Sequence, residues 1–332
     1  MPQVQVSRES AGQRLDRFLR KLLPGMPSSH IFKLLRTRKV RVNGKRARAE
    51  LTLAAGDVVL LHMEESRFAE DTRVAGREPV RARTDRLDFG VVFEDRHLLV
   101  VSKPPFLAVH PGAGHDSGSL IDQIHAYLDV PERPGVFRPA LAHRLDRDTS
   151  GLVLVGKELE TLRTLSDMFQ AGSISKKYLA LARGRPRPPK GLWELAVERK
   201  DLPGSQRQEP RGRPDAPGRT AYRVALTREL AGPGEEPVEL SLLVLKLLTG
   251  KTHQIRSHLL QAGHPLAGDP RYGDRALNRR LKARFDLRRQ FLHAYRLELT
   301  HPVTGGKLSL VDPYPADLEP LVRALRLGVP AY

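Results

Sequence analysis

The sequence predicts an α+β protein in two parts, a small helix–helix–strand module up to about residue 63 and a large domain from about Leu87 onward. Three observations carry this. The opening residues hold two stretches of helical period followed by short alternating apolar runs. The remainder holds seven short apolar runs and four helical patterns, without the regular βα alternation of a doubly wound sheet. The length, 332 residues, suits two domains of roughly 100 to 200 residues each.

The elements follow in order. From Gly12 to Leu23 the apolar residues Leu15, Phe18, Leu19, Leu22 and Leu23 recur at i, i+3, i+4, i+7 and i+8, one face of an amphipathic helix that Pro24 and Gly25 end. Pro27 and Ser28 mark the start of a second helix through Ile31, Leu34 and Leu35, with Ser28 as its N-cap. Val40 and Val42 alternate with Arg41 before Asn43-Gly44, a pair that favours a two-residue hairpin because both central positions need positive φ. A strand over residues 57–62 follows the turn at Ala55-Gly56. Residues 64–86 are polar and lack either period, which suits a linker.

In the large part, strands are predicted over residues 91–95, 98–101, 151–155, 178–182, 221–225, 238–248 and 295–299, and helices over 120–128, 159–169, 253–262 and 317–327. Residues 201–219 close a segment rich in Pro, Gly and Arg and are expected to be an exposed insertion.

Composition narrows the function. Zero Cys removes disulfide frameworks, thiolate zinc sites, iron–sulfur clusters and cysteine nucleophiles together. No apolar run approaches the roughly 20 residues that cross a bilayer, and the first ten residues lack a basic stretch followed by an apolar one, so a cytoplasmic protein with no membrane partner is expected. Lys plus Arg number 56 against 38 Asp plus Glu, a net charge of +18 that points to a polyanion, nucleic acid first. From Lys33 to Arg48 there are eight basic residues and no acidic one. Lys33, Arg36, Arg38, Lys39, Arg41 and Lys45 are therefore candidate phosphate contacts. With Gln13-Arg14-Leu15-Asp16, Arg38-Lys39-Val40-Arg41-Val42-Asn43-Gly44-Lys45 and Gly56-Asp57, this stretch resembles the S4 RNA-binding module over residues 12–63.

The stretch richest in chemistry is His143-Arg144-Leu145-Asp146-Arg147-Asp148-Thr149-Ser150-Gly151, a charge-dense turn that feeds a strand and so holds Asp146 on a rigid element. Asp148, Thr149 and Ser150 can equally be a structural turn bonding nearby backbone. A calcium loop starting at Asp146 fails, because its twelfth position is Lys157 where a bidentate glutamate is needed. Gly250-Lys251-Thr252 ends like a phosphate-binding loop, but Leu245 stands where that loop needs glycine. His253 and His258 fall on different helix faces, and no metal site is expected.

The same stretch resembles the active-site motif of the RluA family of RNA pseudouridine synthases. Lys176-Lys177-Tyr178 and residues 250–258 match two further motifs, and Lys103-Pro104, His110-Pro111-Gly112, Gly268-Asp269-Pro270-Arg271-Tyr272-Gly273-Asp274, Phe291-Leu292-His293-Ala294 and Thr300-His301-Pro302 extend the likeness over about residues 88–312. Phe106 departs from it, standing where many relatives have glycine. The leading module and the basic segment after Asp274 lean toward members that act on large-subunit ribosomal RNA.

The resemblance implies a catalytic domain over residues 87–332 with a mixed, largely antiparallel sheet, behind a linker over 64–86, acting as a monomer on RNA without cofactor or metal. It implies Asp146 as the catalytic carboxylate, attacking C1′ or C6 of the nucleotide or deprotonating the sugar. Arg256 would be its counter-charge, Tyr178 would stack on the flipped uracil and take part in proton transfer at C5, and Arg144, with His143 beside it, would contact the RNA where the base leaves. A catalytically inert ribosome-assembly factor is the competing reading, and it has no need of Asp146, Tyr178 and Arg256 together.

Overall fold

The computed structural model describes residues 1–6, 10–23, 25–72, 87–111, 118–131, 137–197, 216–232 and 234–330. The chain divides into two compact units, residues 1–86 with 113–140, and residues 87–112 with 141–332. The sequence reading put residues 113–140 in the large domain. The helical pattern there does not say which neighbour it packs on.

The first unit runs β1 (Gln3–Gln5), α1 (Leu15–Leu22), α2 (Ser28–Arg36), β2 (Val40–Val42), β3 (Lys45–Arg46), β4 (Val58–Leu61) and α3 (Glu65–Thr72), and later adds α4 (Leu120–Tyr127). Its sheet has the order β1-β4-β2-β3 and is antiparallel throughout. Leu15, Phe18, Leu19, Leu22 and Leu23 are all buried, the face that the spacing predicts. Asn43 and Gly44 both have positive φ, at 50° and 73°. Asn43 also fixes the sheet register: its amide donates to Asp57 at 2.8 Å and its carbonyl oxygen accepts from the Val58 N–H at 2.8 Å. Two expectations change. Ser28 is the first helical residue with Pro27 at the N-cap, and no side chain caps this end. The start of the predicted linker is helical in α3, where Phe68 packs against the apolar core.

The second unit holds β5 (Gly90–Glu94), β6 (Leu98–Lys103), β7 (Ala140–Leu141, at the crossover between units), β8 (Ser150–Gly156), α5 (Leu159–Gln170), β9 (Ser175–Arg183), β10 (Lys190–Leu195), β11 (Gly218–Gly232), β12 (Glu235–Leu247), α6 (Gln254–Gln261), α7 (Arg275–Phe285), β13 (Leu292–Thr300), β14 (Lys307–Val311) and α8 (Glu319–Ala324). The sheet order is β10-β11-β12-β9-β13-β8-β6-β5, with β14 also against β13. Of these neighbours only β13 and β8 run parallel, so the sheet is mixed and largely antiparallel. Gly218 and Arg219 open β11 instead of lying in an insertion. The rest of that expected insertion up to residue 215, residues 73–86 of the linker, Pro24 and Gly112 lie outside the described residues.

Every residue of β8 is buried, so the turn before it is anchored at the middle of the sheet. Gly151 is required there. Its φ is 120°, and a Cβ would come within 2.4 Å of the Ala294 carbonyl oxygen on the parallel neighbour β13.

Candidate active site

Asp146 sits in the turn that feeds β8, with its side chain 21% exposed. Its Oδ2 accepts from Arg256 Nη1 at 3.1 Å. Arg256, on α6, turns its other edge to Asp269, donating through Nε at 2.6 Å and Nη2 at 2.9 Å in a two-pronged pair. Asp269 is fully buried, and its Oδ1 also accepts from the backbone N–H groups of Arg271 and Tyr272, each at 2.9 Å. Four donors satisfy this buried carboxylate, and its two-pronged grip holds the guanidinium plane rigid. Burial opposes the charge of Arg256, but the bonds to Asp269 and Asp146 outweigh it and hold its pKa above the usual arginine value. The Tyr272 ring lies 5.0 Å from the same guanidinium, and its hydroxyl is 3.1 Å from His253 Nδ1. His253 Nε2 lies 3.8 Å from Asp146 Oδ2. Burial lowers the His253 pKa, so the ring is a neutral neighbour.

Arg256 thus fixes Asp146 through one oxygen, while Asp146 Oδ1 accepts no hydrogen bond from the described residues. One oxygen is held and the other is open to a reactant.

Two buried cations hold the turn itself. Lys103 Nζ donates to the carbonyls of Pro104, Leu107 and Arg147 at 2.7, 2.9 and 2.8 Å, which uses all three of its protons. Burial, with the nearby charge of Arg289 adding, pushes its pKa down to about 7, against the pull of Asp148 and Asp146. Arg289 is buried on the other side. It donates to both carboxylate oxygens of Asp317, to the Asp148 carbonyl at 3.3 Å and to Ser150 Oγ at 3.1 Å. Ser150 Oγ lies 3.1 Å from His293 Nδ1, and Gln290 Nε2 donates to Thr149 Oγ1 at 3.2 Å. Within the turn the Thr149 N–H donates to the Asp146 carbonyl at 3.0 Å, and the Thr149 and Ser150 hydroxyls are tied further by side chains from residues 289–293.

Tyr178, on β9, is buried. Burial, with the charge of Asp146 adding, raises its pKa above the usual tyrosine range, so the phenol keeps its proton near neutral pH. Arg144 is exposed, and its side chain makes no hydrogen bond or ion pair with the described residues. His143 differs from expectation. Its Nε2 accepts from the Leu154 N–H at 3.2 Å and its ring packs edge-on against Phe169 at 5.3 Å. Burial, helped by Lys176, pushes its pKa down to about 3, so it serves as a neutral support for β8 and offers RNA no charge.

The structure brings Asp146 and Arg256 together, and it reveals Lys103, Asp269 and Arg289 as their supports. Lys103 and Asp269 stand in motifs visible in the sequence, but a charged residue in a motif does not announce that it is buried and facing inward. In the first unit, Lys33, Arg36, Arg38, Lys39, Arg41 and Lys45 are all exposed, and none pairs with a carboxylate among the described residues. No described helix is long and apolar enough to cross a membrane, and no cluster of potential metal ligands occurs among the described residues.

Residues 97–261 match the model of the RNA pseudouridylate synthase family, and residues 13–59 match the S4 domain. A relative from Escherichia coli (strain K12), ribosomal large subunit pseudouridine synthase C, is 37% identical over 97% of this chain and 96% of its own. The chain belongs to the RNA pseudouridylate synthase family. Another member, ribosomal large subunit pseudouridine synthase C of Vibrio vulnificus (strain CMCP6), is 35% identical with the same coverage. Among solved structures of the family, human RNA pseudouridylate synthase domain containing 1 superposes with a TM-score of 0.51 at 27% identity, over 72% of this chain and 95% of that one. Human RNA pseudouridylate synthase domain containing 4 gives 0.54 at 24% identity, over 73% and 95%, a likeness of fold.

Proposed function

We propose that this pseudouridine synthase isomerises uridines of large-subunit ribosomal RNA, with Asp146 as the catalytic carboxylate. The observation that carries the assignment is the half-occupied carboxylate, fixed at Oδ2 by Arg256 and open at Oδ1. The net reaction breaks the C1′–N1 bond and forms C1′–C5, while N1 gains a proton and C5 loses one. It is redox-neutral and consumes no second substrate, so a carboxylate, a closed pocket and a proton route are what the chain must supply.

Asp146 supplies the charge next to the sugar–base junction, whether it bonds to C1′ or C6 or removes a sugar proton. Arg256, locked by Asp269, keeps that carboxylate from turning. Tyr178 offers a ring on which the flipped uracil stacks, worth roughly 1 to 3 kcal/mol, enough to offset much of the few kcal/mol lost on unstacking. Because its phenol keeps its proton, Tyr178 acts near C5 as a donor or relay and not as a free base. Arg144, its side chain uncommitted and two residues before Asp146, takes the space that the base vacates.

We read residues 12–63 as the RNA-docking domain and residues 87–332 as the catalytic one. The likeness to large-subunit enzymes and the unpaired cations of the first unit support ribosomal RNA as substrate. Zero Cys and an RNA substrate support a cytoplasmic enzyme, read as a monomer. Pseudouridine mapping across ribosomal RNA from cells with and without this protein tests the substrate. Loss of one or more large-subunit sites is expected, and an unchanged map overturns it.

A further inference from the structure

α7 carries two populations of cations. Arg280 and Arg284 turn toward β11 and β12, where Arg280 pairs with Glu235 at 2.7 Å and Arg284 donates to the Ala231 carbonyl at 2.9 Å. Arg275, Arg279 and Lys282 stand at i, i+4 and i+7, on one face opposite the buried Leu277 and Leu281. All three are exposed, and none has a hydrogen-bond or ion-pair partner among the described residues. Like charges at these spacings repel, and Arg275 also sits in the first turn, at the positive end of the helix dipole. Folding alone gives no reason for this stripe, since the same helix neutralises its other arginine face.

The stripe is also one wall of an open cavity of about 660 Å³, lined further by Gly268, Pro270, Asn278, Leu287 and Arg288. Arg288 pairs with Asp286 at 2.8 Å; of the cavity's four cations, the three on the helix have no counter-charge among the described residues. Among the described residues no acidic side chain lines the cavity. Cations gathered with no acidic side chain in the lining suit a polyanion. Its position matters too. Gly268 and Pro270 flank Asp269, which holds Arg256, which holds Asp146. Gly268 has φ 74°, and a Cβ would meet the Arg289 carbonyl oxygen at 2.1 Å, so this wall is tied to the supports of the catalytic turn.

We infer that the Arg275–Arg279–Lys282 face of α7 and the cavity beside it bind phosphodiester groups of the substrate RNA, a phosphate-contact site within the catalytic unit and separate from the S4 module. The inference rests on RNA being the substrate. The site positions the strand near Asp146 and reads no base, because phosphate contacts carry no sequence information.

The test uses the full chain, wild type and the triple variant R275Q/R279Q/K282Q, on a large-subunit ribosomal RNA transcript. Affinity is measured across a range of KCl concentrations, and turnover at saturating RNA. Each lost phosphate contact lowers the slope of log affinity against log salt by roughly 0.7 to 0.9. The triple variant is therefore expected to lose about 2 to 3 from that slope and to raise KM on the order of tenfold, with kcat unchanged. An unchanged slope and KM, in a variant that melts like wild type and while the wild type turns over, overturns the inference and leaves the substrate assignment standing. A slope that falls only when free inorganic phosphate is the probe, with transcript binding unaffected, overturns it as well. Absence of wild-type turnover on the transcript is instead a failure of the substrate assignment.

Discussion

Arg289 donates to Ser150 Oγ at 3.1 Å from a position 139 residues away in sequence, which locks the first residue of β8, and so the turn carrying Asp146, to the start of β13. The same guanidinium grips Asp317 through Nε at 2.6 Å and Nη2 at 3.1 Å. A lysine cannot reproduce that fork. Arg289→Lys is expected to destabilise the protein by about 1.5 to 3 kcal/mol, the worth of charged hydrogen bonds, and to lower kcat more than it raises KM, because Asp146 loses its setting while the RNA surface is intact. Denaturant titration and steady-state kinetics check the two parts separately.

The Ser150 hydroxyl also meets His293 Nδ1, and His293 Nε2 lies 3.1 Å from the Asp312 carbonyl, so the neutral ring with its proton on Nε2 fits both. Burial pushes the His293 pKa down to about 4, while in the unfolded chain it is about 6.5. Between those values the unfolded state binds the extra proton, so this group's contribution is complete above about pH 6.5 and is lost as pH falls toward 4, by up to about 1.4 kcal/mol per pH unit. His143, down at about 3, adds in the same direction. Stability by urea unfolding is expected to fall from pH 6.5 to 4.5 in the wild type, and less steeply in His293→Gln after its lower baseline is subtracted.

Tyr178→Phe keeps the ring and removes the hydroxyl. Stacking and RNA affinity are expected to stay within a factor of about two, since the aromatic face carries the roughly 1 to 3 kcal/mol of base stacking, while the chemical step slows. Equilibrium binding and single-turnover rates on the same transcript separate these effects. If only binding suffers, the phenol has no part in the proton transfer.

The S4 module is expected to add affinity and orientation without touching chemistry. Replacing Arg36, Lys39 and Arg41 by Gln should lower the salt slope by roughly 0.7 to 0.9 for each true phosphate contact and leave kcat at saturating RNA unchanged. An unaltered slope would make the run a solvated face.

Much of this was legible in the sequence, for physical reasons that differ by element. The buried face of α1 shows because five apolar residues repeat at helical spacing, and the β2–β3 turn shows because Asn43-Gly44 suits positive φ at both positions. α7 was missed because its apolar stripe is only Leu277, Leu281 and Phe285 among cations, although Asp274, which accepts from the N–H groups of Ala276 and Leu277, is a good start signal. At the site, the meeting of Asp146 and Arg256 was expected from matched motifs. What holds them was not. Asp269, Lys103 and Arg289 are charged residues that the fold buries, and local pattern assigns charge to the surface. His143 shows the converse, since a histidine beside a catalytic motif reads as functional until its ring is seen supporting β8.

The central claim is that the open oxygen of Asp146 does the chemistry while the rest of the surface does the binding. Asp146→Asn keeps the shape and one acceptor but removes the charge. Tritium release from RNA labelled at C5 of uridine, measured in a single turnover with enzyme in excess, is expected to fall to background, with RNA affinity within about tenfold of wild type, or roughly 1.4 kcal/mol. Tritium release at the wild-type rate would contradict the account.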